Sequence, residues 1–190
     1  PGPAIQKRIM DHISQMVQQV DGIIISDYNK GITTPEIVAH IIKLGQEQGK
    51  LVAVDPKPEH FSLYKNVTLL TPNNAEASRG MNTAIENEQD LARTGQAILD
   101  ELRCRYLLIT RGEHGMALFE RDKSMTLIPT MAQSVYDVTG AGDMVISVFA
   151  LSLCAGGSPL QSAILANYAA GIVVQRLGVA SITSEELMAE

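Results

Sequence analysis

The sequence predicts an α/β fold, namely a doubly wound and mainly parallel sheet with helices on both faces and a small β-hairpin. Short, continuous apolar runs such as residues 23–25 and 51–54 are typical of strands that are buried on both faces. Segments with apolar residues at spacings of three and four alternate with these runs, as helices do between parallel strands. Each apolar run ends in a polar loop, and ligands bind at the carboxyl ends of the strands in such sheets.

The first half of the chain follows the order helix, strand, helix, strand, strand. A helical pattern covers residues 5–20, and a second helix begins at Thr34 and Pro35, a cap followed by a first-turn proline. Gly49 is typical of the residue that ends such a helix. The predicted strands lie at residues 23–25, 51–54 and 67–70.

The second half adds a helix, a strand, a hairpin and a pair of long apolar helices. These elements are predicted at residues 86–102, 106–109, 116–119 with 125–128, 144–155 and 159–175. Ser184 is expected to cap a short final helix, because two glutamates follow it in the first turn.

The composition excludes several classes of partner. The length of 190 residues suits one domain, and a net charge of −6 without a basic cluster argues against nucleic acid. Polar residues interrupt every apolar run before about 18 residues, so we expect no membrane partner. Cys104 and Cys154 have no CxxC spacing and predict buried thiols in a reducing compartment. Without a signal peptide, the expected location is the cytoplasm.

The segment 136–143 reads YDVTGAGD and opens the long apolar helix. Gly140 and Gly142 allow a ligand to approach the backbone closely, and a helix start favours anions such as phosphate. Asp143 would repel that anion unless it accepts a proton from a hydroxyl that attacks a phosphoryl group. A tight loop with an aspartate in the first helical turn explains the same residues equally well.

Polar side chains also follow four of the predicted strands. These are Asp27 with Lys30, Asp55 with Lys57, Asn73 with Glu76, and Thr110 with Gly112 and Gly115. Turn chemistry accounts for any one of these sets, but parallel strands would bring all four to one edge. Glu76 is placed either to hold Mg²⁺ through water or simply to stabilise a helix start. No P-loop and no GxGxxG motif is present.

These motifs together resemble the ribokinase-like (PfkB) family of carbohydrate kinases. Residues 137–143 resemble its C-terminal signature, residues 71–76 its NxxE motif, and Asn167 with Gly171 its adenine-side helix. The match is closer still to the kinase domain of the bifunctional ADP-heptose synthases. The segments that carry this second resemblance are residues 26–31, 54–57, 110–116, 136–143 and 169–178.

The resemblance implies a role for each site residue. Asp143 would be the base, and the backbone N–H groups of Gly140, Ala141 and Gly142 would form the anion hole. ATP with Mg²⁺ would bind at Asn73, Glu76, Thr110, Gly112, Gly115, Asn167 and Gly171. Asp27, Lys30 and Lys57 would face the substrate, and Asp137 and Thr139 match positions that hold a monovalent cation such as K⁺ in relatives.

The implied reaction is phosphorylation of D-glycero-β-D-manno-heptose 7-phosphate at its anomeric hydroxyl, in ADP-heptose and lipopolysaccharide inner-core biosynthesis. By the same comparison, residues 1–190 are the C-terminal portion of a kinase domain whose sugar-binding start and dimerisation lid lie elsewhere. A homodimer and a fused nucleotidyltransferase domain would belong to the full-length protein. Two alternatives stay open: another PfkB sugar kinase, and a nucleotide-binding fragment without activity of its own.

Overall fold

A computed structural model describes residues 1–121, 125–132 and 134–188, and six strands in this part of the chain form one sheet. The strands are β1 (Gly22–Ser26), β2 (Leu51–Asp55), β3 (Leu69–Leu70), β4 (Tyr106–Thr110), β5 (Met116–Glu120) and β6 (Thr126–Ile128). Strands β1 to β4 are parallel, whereas β5 and β6 pair in an antiparallel manner at the edge. The predicted α/β fold with a mainly parallel sheet and a hairpin is therefore confirmed.

The described helices cover both faces of this sheet. They are α1 (Pro3–Met16), α2 (Pro35–Gln48), α3 (Asn74–Gly80), α4 (Glu88–Leu102), α5 (Ala141–Cys154), α6 (Pro159–Val173) and α7 (Ser184–Met188). Short 3-10 turns lie at Val17–Gln19, Pro58–Leu63 and Gly112–His114. The strands follow one another in sequence order across the sheet, so the connections between β1 and β4 share one face. The opposite face is covered by α5 and α6.

Adjacent residues of one strand enter different hydrophobic cores. Leu70 packs with α2 and α4 on one face, whereas Leu69 packs with α5 and α6 on the other. Leu107 and Leu108 divide in the same way, as the alternation of side chains along a strand requires. The two cores hold the carboxyl ends of the parallel strands at one edge, from which the polar loops project.

The capping residues predicted for α2 are confirmed, whereas the cap predicted for α7 is wrong. Thr34 accepts the Ile37 N–H at the start of α2, and Gly49 ends that helix with φ of 63°. Thr183, not Ser184, caps α7: its hydroxyl accepts the Glu186 N–H at 3.2 Å, and that glutamate accepts the Thr183 N–H in return.

The two cysteines lie in different environments. Cys104 is buried as predicted, whereas Cys154, the last residue of α5, is exposed. Among the helices that the structure describes, none combines the length and the apolar character needed to cross a membrane.

Candidate active site

The exits of the parallel strands meet at one edge, as the sequence predicts. The register of β1 and β2 places Ser26 beside Asp55, and a backbone bridge joins Asn73 to Thr110. The Asp27 N–H continues the ladder by donating to the Asp55 carbonyl at 3.0 Å. Residues that are far apart in sequence therefore lie along one edge of the sheet.

Asp143 lies in the first turn of α5 and is contacted from the β1 exit. The Ser26 hydroxyl donates to Oδ1 at 3.2 Å, and the Tyr28 hydroxyl donates to Oδ2 at 2.8 Å. The hydrogen bond to Asp143 raises the pKa of Tyr28, so the phenol stays a donor. Sequence reasoning missed both contacts, although both residues belong to the quoted β1-exit motif.

The start of α5 has no side-chain cap. Gly140 occupies the N-cap position with φ of 79°, a conformation that glycine adopts without a steric penalty. The Ala141 N–H differs from the expectation, because it donates to the Val138 carbonyl at 3.1 Å and is not free. No described residue accepts a hydrogen bond from the N–H of Gly140 or Gly142. Of the three N–H groups predicted to form an anion hole, those of Gly140 and Gly142 therefore remain available to a ligand.

Asp137 holds this loop together. Its Oδ1 accepts the Thr139 N–H at 2.9 Å and the Thr139 hydroxyl at 2.7 Å, while its Oδ2 accepts the Gly178 N–H at 2.9 Å. The hydroxyl of Thr139 is the main reason that the pKa of Asp137 lies below its ordinary value. The carboxylate thus ties the loop before α5 to the loop after α6.

Four exposed apolar side chains surround the start of α5, and we call them the apolar rim. They are Tyr136, Val138, Leu177 and Val179. The bond from Gly178 to Asp137 brings the two contributing loops together, and a Cβ at Gly140 would lie 3.6 Å from Val179 Cγ1. The rim thus forms an exposed apolar surface beside the start of α5.

Glu76 is buried and has two protein partners. Its carboxylate accepts the Asn73 N–H at 3.0 Å, while the Asn73 side chain accepts the Glu76 N–H at 2.9 Å. The two residues therefore form a capping box at the start of α3. Lys57 Nζ lies 2.5 Å from the other Glu76 oxygen, and this bond raises the pKa of Lys57. Lys57, expected to contact the substrate, instead neutralises Glu76.

Asp27, also expected to face the substrate, is enclosed by protein. Tyr64 and His60 contact Oδ2 at 2.6 Å and 2.7 Å, and the Asn29 N–H donates to Oδ1 at 2.8 Å. Burial alone would raise the pKa of Asp27, but these hydrogen bonds outweigh burial and lower it. Lys30 is exposed on the same loop. The partners of Asp27 come from a segment without periodicity, so no sequence signal pointed to them.

Asp55 lies between these sites and titrates unusually. Burial, together with the negative charges of Glu76, Asp143 and Asp27, raises the pKa of Asp55 to about 7, although Lys57 opposes the shift. Several carboxylates therefore lie close together at this edge, and Lys57 offsets only part of their negative charge. Shifts of this size are common in catalytic clefts, although ion-pair networks in structural sites produce them as well.

The residues predicted beside β4 have clear local roles. Thr110 ends β4, opposite Met116 of β5, and Gly112 adopts φ of 58° with open space beside its Cα. Gly115 has φ of 72°, and a Cβ there would lie 2.1 Å from the Ile128 carbonyl oxygen. Gly115 thus permits close packing in the hairpin, whereas Gly112 leaves room for a ligand.

Asn167 and Gly171 both support the segment that follows β6. The buried Asn167 side chain donates to the Pro129 carbonyl at 2.6 Å. A Cβ at Gly171 would lie 3.3 Å from the Ala132 nitrogen, so the backbone passes close to α6 there. Both residues thus contact the segment that follows β6, and the buried Asn167 amide is bound within the protein.

Curated proteins and solved structures resemble this chain over most of its length. The chain is 40% identical over 185 residues to the bifunctional protein HldE of Geotalea uraniireducens, and 37% identical over 187 residues to that of Geobacter sulfurreducens. These matches cover 97% and 98% of the chain but 38% of each relative, so the chain spans about two fifths of their length.

Solved structures share the fold at low identity. Escherichia coli phosphofructokinase-2 in complex with potassium matches with a TM-score of 0.82 at 18% identity, over 95% of this chain and 60% of that one. Arabidopsis thaliana ribokinase complexed with ribose and ATP matches with a TM-score of 0.81 at 21% identity, over 94% and 58%. The profile of the pfkB family of carbohydrate kinases matches residues 4–186. The chain therefore belongs to the pfkB carbohydrate kinase family.

Proposed function

We propose that the chain is the ATP-dependent kinase part of an ADP-heptose synthase and phosphorylates D-glycero-β-D-manno-heptose 7-phosphate at its anomeric hydroxyl. The observation that carries the proposal is the Asp143 carboxylate at the uncapped start of α5, on the edge where the strand exits meet. The similarity to HldE proteins supports the heptose, and their description as bifunctional supports fusion to a second domain. The product would serve the lipopolysaccharide inner core.

Asp143 would act as the general base. An acceptor hydroxyl would replace the Ser26 hydroxyl on Oδ1 of Asp143, while Tyr28 stays on Oδ2, and would give up its proton as its oxygen attacks the γ-phosphorus. The bond from phosphorus to the bridging oxygen breaks, and ADP leaves. The N–H groups of Gly140 and Gly142 and the positive end of α5 would stabilise the negative charge of the transferring group.

The residues of the candidate site fit Mg²⁺ better than they fit K⁺. Carboxylate oxygens are the ligands that Mg²⁺ prefers. Both oxygens of Glu76 already accept hydrogen bonds, from Lys57 and Asn73, so Glu76 would hold Mg²⁺ only through water. When bound with ATP, Mg²⁺ would supply positive charge that partly offsets the phosphates. Both oxygens of Asp137 already accept hydrogen bonds, from Thr139 and Gly178, so Asp137 and Thr139 do not fit a direct site for K⁺.

The remaining expectations concern the setting of the reaction. The unpaired Cys104 supports a reducing compartment such as the cytoplasm. A homodimer is proposed for the full-length protein, by the family resemblance. The ATP site would lie between the apolar rim, Thr110 and Gly112, with Asn167 and Gly171 supporting its wall.

The decisive experiment is an ATP-dependent kinase assay with heptose 7-phosphate and a panel of other sugar phosphates. Asp143→Asn should lower kcat by roughly a thousandfold, as expected when a general base is lost. Asp100→Asn, at an exposed position of α4, is the matched control and should match the parent. Full activity of Asp143→Asn would overturn the assignment of the base. Preference for another sugar would retain the kinase but reject heptose, and an inactive parent that binds ATP would point to a nucleotide-binding module.

A further inference from the structure

Asp27 is the most completely enclosed carboxylate at the strand-exit edge. It is 1% exposed, and Tyr64, which donates to it, is fully buried. Both of its oxygens accept hydrogen bonds, from Tyr64 and His60 on one side and from the Asn29 N–H on the other. Such bonds to a carboxylate are stronger than bonds between neutral groups, so the orientation of Asp27 is well determined.

Asp27 in turn determines the shape of the loop 27–31. Asn29 adopts φ of 51°, which is uncommon for a residue with a side chain, and its N–H is held by the Asp27 carboxylate. Tyr28 lies between these two residues, and its hydroxyl reaches Asp143. The place of the Tyr28 hydroxyl therefore depends on how Asp27 is held.

The side chains that hold Asp27 come from a segment that also contacts Glu76. This segment is residues 57–64: Lys57 at its start pairs with Glu76, and His60 and Tyr64 contact Asp27. One short segment after β2 thus contacts the carboxylates of both Asp27 and Glu76.

We propose that Tyr64 and His60 are positioning residues for Asp143: by holding Asp27 they fix the loop 27–31 and, through Tyr28, the geometry of the carboxylate. The kinetic consequence rests on the proposed function, whereas the ordering of the loop does not. Phenylalanine would keep the ring of Tyr64 in the core, so Tyr64→Phe removes only the hydrogen bond to Asp27.

The test compares Tyr64→Phe with Tyr106→Phe by amide hydrogen exchange and by kinase assay of the chain. Tyr106 is a half-buried tyrosine whose hydroxyl has no hydrogen-bond partner among the described residues, so its variant is the matched control. In Tyr64→Phe, exchange at residues 28–31 should become roughly tenfold faster, and kcat should fall roughly tenfold, as expected for one lost bond to a charged group. The KM for ATP should not change.

His60 supplies an independent arm, because it is partly exposed and its variants should fold. His60→Ala should reproduce the effects of Tyr64→Phe, and His60→Asn, which keeps a donor, should recover most of the loss. Unchanged exchange at residues 28–31 in both Tyr64→Phe and His60→Ala would overturn the proposal. Faster exchange with parental kcat would overturn the link to Asp143. An inactive parent would count against the proposed function, while exchange would still decide the ordering of the loop.

Discussion

The two halves of the candidate site are built in different ways. The strand-exit half comprises Asp27, Asp55, Lys57 and Glu76, and its side chains are largely buried and mostly bound to other protein groups. The loop half comprises residues 136–142 and 177–179, with an uncapped helix start and the exposed apolar rim. Its hydrogen bonds at Asp137 hold the backbone in place but leave the surface open.

The difference follows from the cost of burying polar groups. A buried carboxylate is stable only with partners in the folded protein, and Asp27 and Glu76 have theirs before any ligand arrives. The loop half keeps its N–H groups and apolar side chains near solvent, where a ligand can become their partner. Mutations should therefore affect stability in the first half and ligand binding in the second.

The largest effect is expected from Lys57→Met. It leaves the Glu76 carboxylate, whose side chain is 7% exposed, without its cation, and should lower the free energy of unfolding by about 3–5 kcal/mol. Urea denaturation measures the change. Lys43→Met is the matched control, because Lys43 pairs with Glu47 at the surface at 3.8 Å, and it should cost less than about 1 kcal/mol. Equal losses in the two variants would refute the contrast.

Asp55→Asn tests the charge crowding of the strand-exit half. Because the folded pKa of Asp55 is about 7 and an unfolded aspartate titrates near pH 4, the folded state holds the extra proton between these values. Its contribution to stability therefore falls as the pH rises through that window. Asp27, with a lowered pKa, contributes in the opposite sense, and its stabilisation is lost on acidification.

At pH 8 in metal-free buffer, Asp55→Asn should accordingly be more stable than the parent by about 2–4 kcal/mol, and the difference should vanish near pH 4. Urea denaturation across this range measures it. Asp100→Asn, at an exposed position, should follow the parental profile. A constant difference at all pH values would show that Asp55 carries its charge throughout.

Gly142→Ala should separate folding from binding in the loop half. No atom lies within 4 Å of the new Cβ, and φ is not positive, so the helix should become slightly more stable, by up to about 1 kcal/mol. The methyl group would nevertheless obstruct an anion at the helix start. We expect the Kd for ATP to rise by roughly tenfold, the cost of one hydrogen bond to a charged group. Calorimetry measures both, and unchanged ATP affinity would exclude Gly142 from the anion site.

The smallest effect is expected at the apolar rim. Leu177 is 84% exposed, so Leu177→Ser should change the free energy of unfolding by less than about 0.5 kcal/mol. If the rim packs against the nucleotide base, the Kd for ATP should rise by roughly threefold to tenfold, the value of part of a buried side chain. Leu151→Ser, at a 71% exposed position on α5, is the control. Parental affinity in Leu177→Ser would remove the rim from the site.

Sequence reasoning reached the features that depend on neighbouring residues. Apolar periodicity located α2 and α4, and the Thr34 and Gly49 signals set the ends of α2 almost to the residue. Parallel strands place their exits together by geometry, so the convergence of Ser26, Asp55 and Thr110 also followed from the pattern. These inferences need only local propensities and the connection rules of α/β sheets.

The partners of the charged side chains could not be predicted from the sequence. Nothing in the spacing of Asp27 and Tyr64, or of Lys57 and Glu76, pairs them, because these contacts form only when the segment after β2 packs against the edge. Two residues expected at the substrate are therefore bound within the protein. Tertiary packing also assigned the Ala141 N–H to Val138 and the Asn167 amide to Pro129.

By itself, then, the sequence determined the α/β fold, the position of Asp143 at a helix start and the motifs of a carbohydrate kinase, since each follows from residues close together in the chain. Only the tertiary structure decided which charges are neutralised, which hydroxyls contact Asp143 and which N–H groups stay available. Those properties depend on burial and on distances between remote segments, and neither is encoded in any single stretch of sequence.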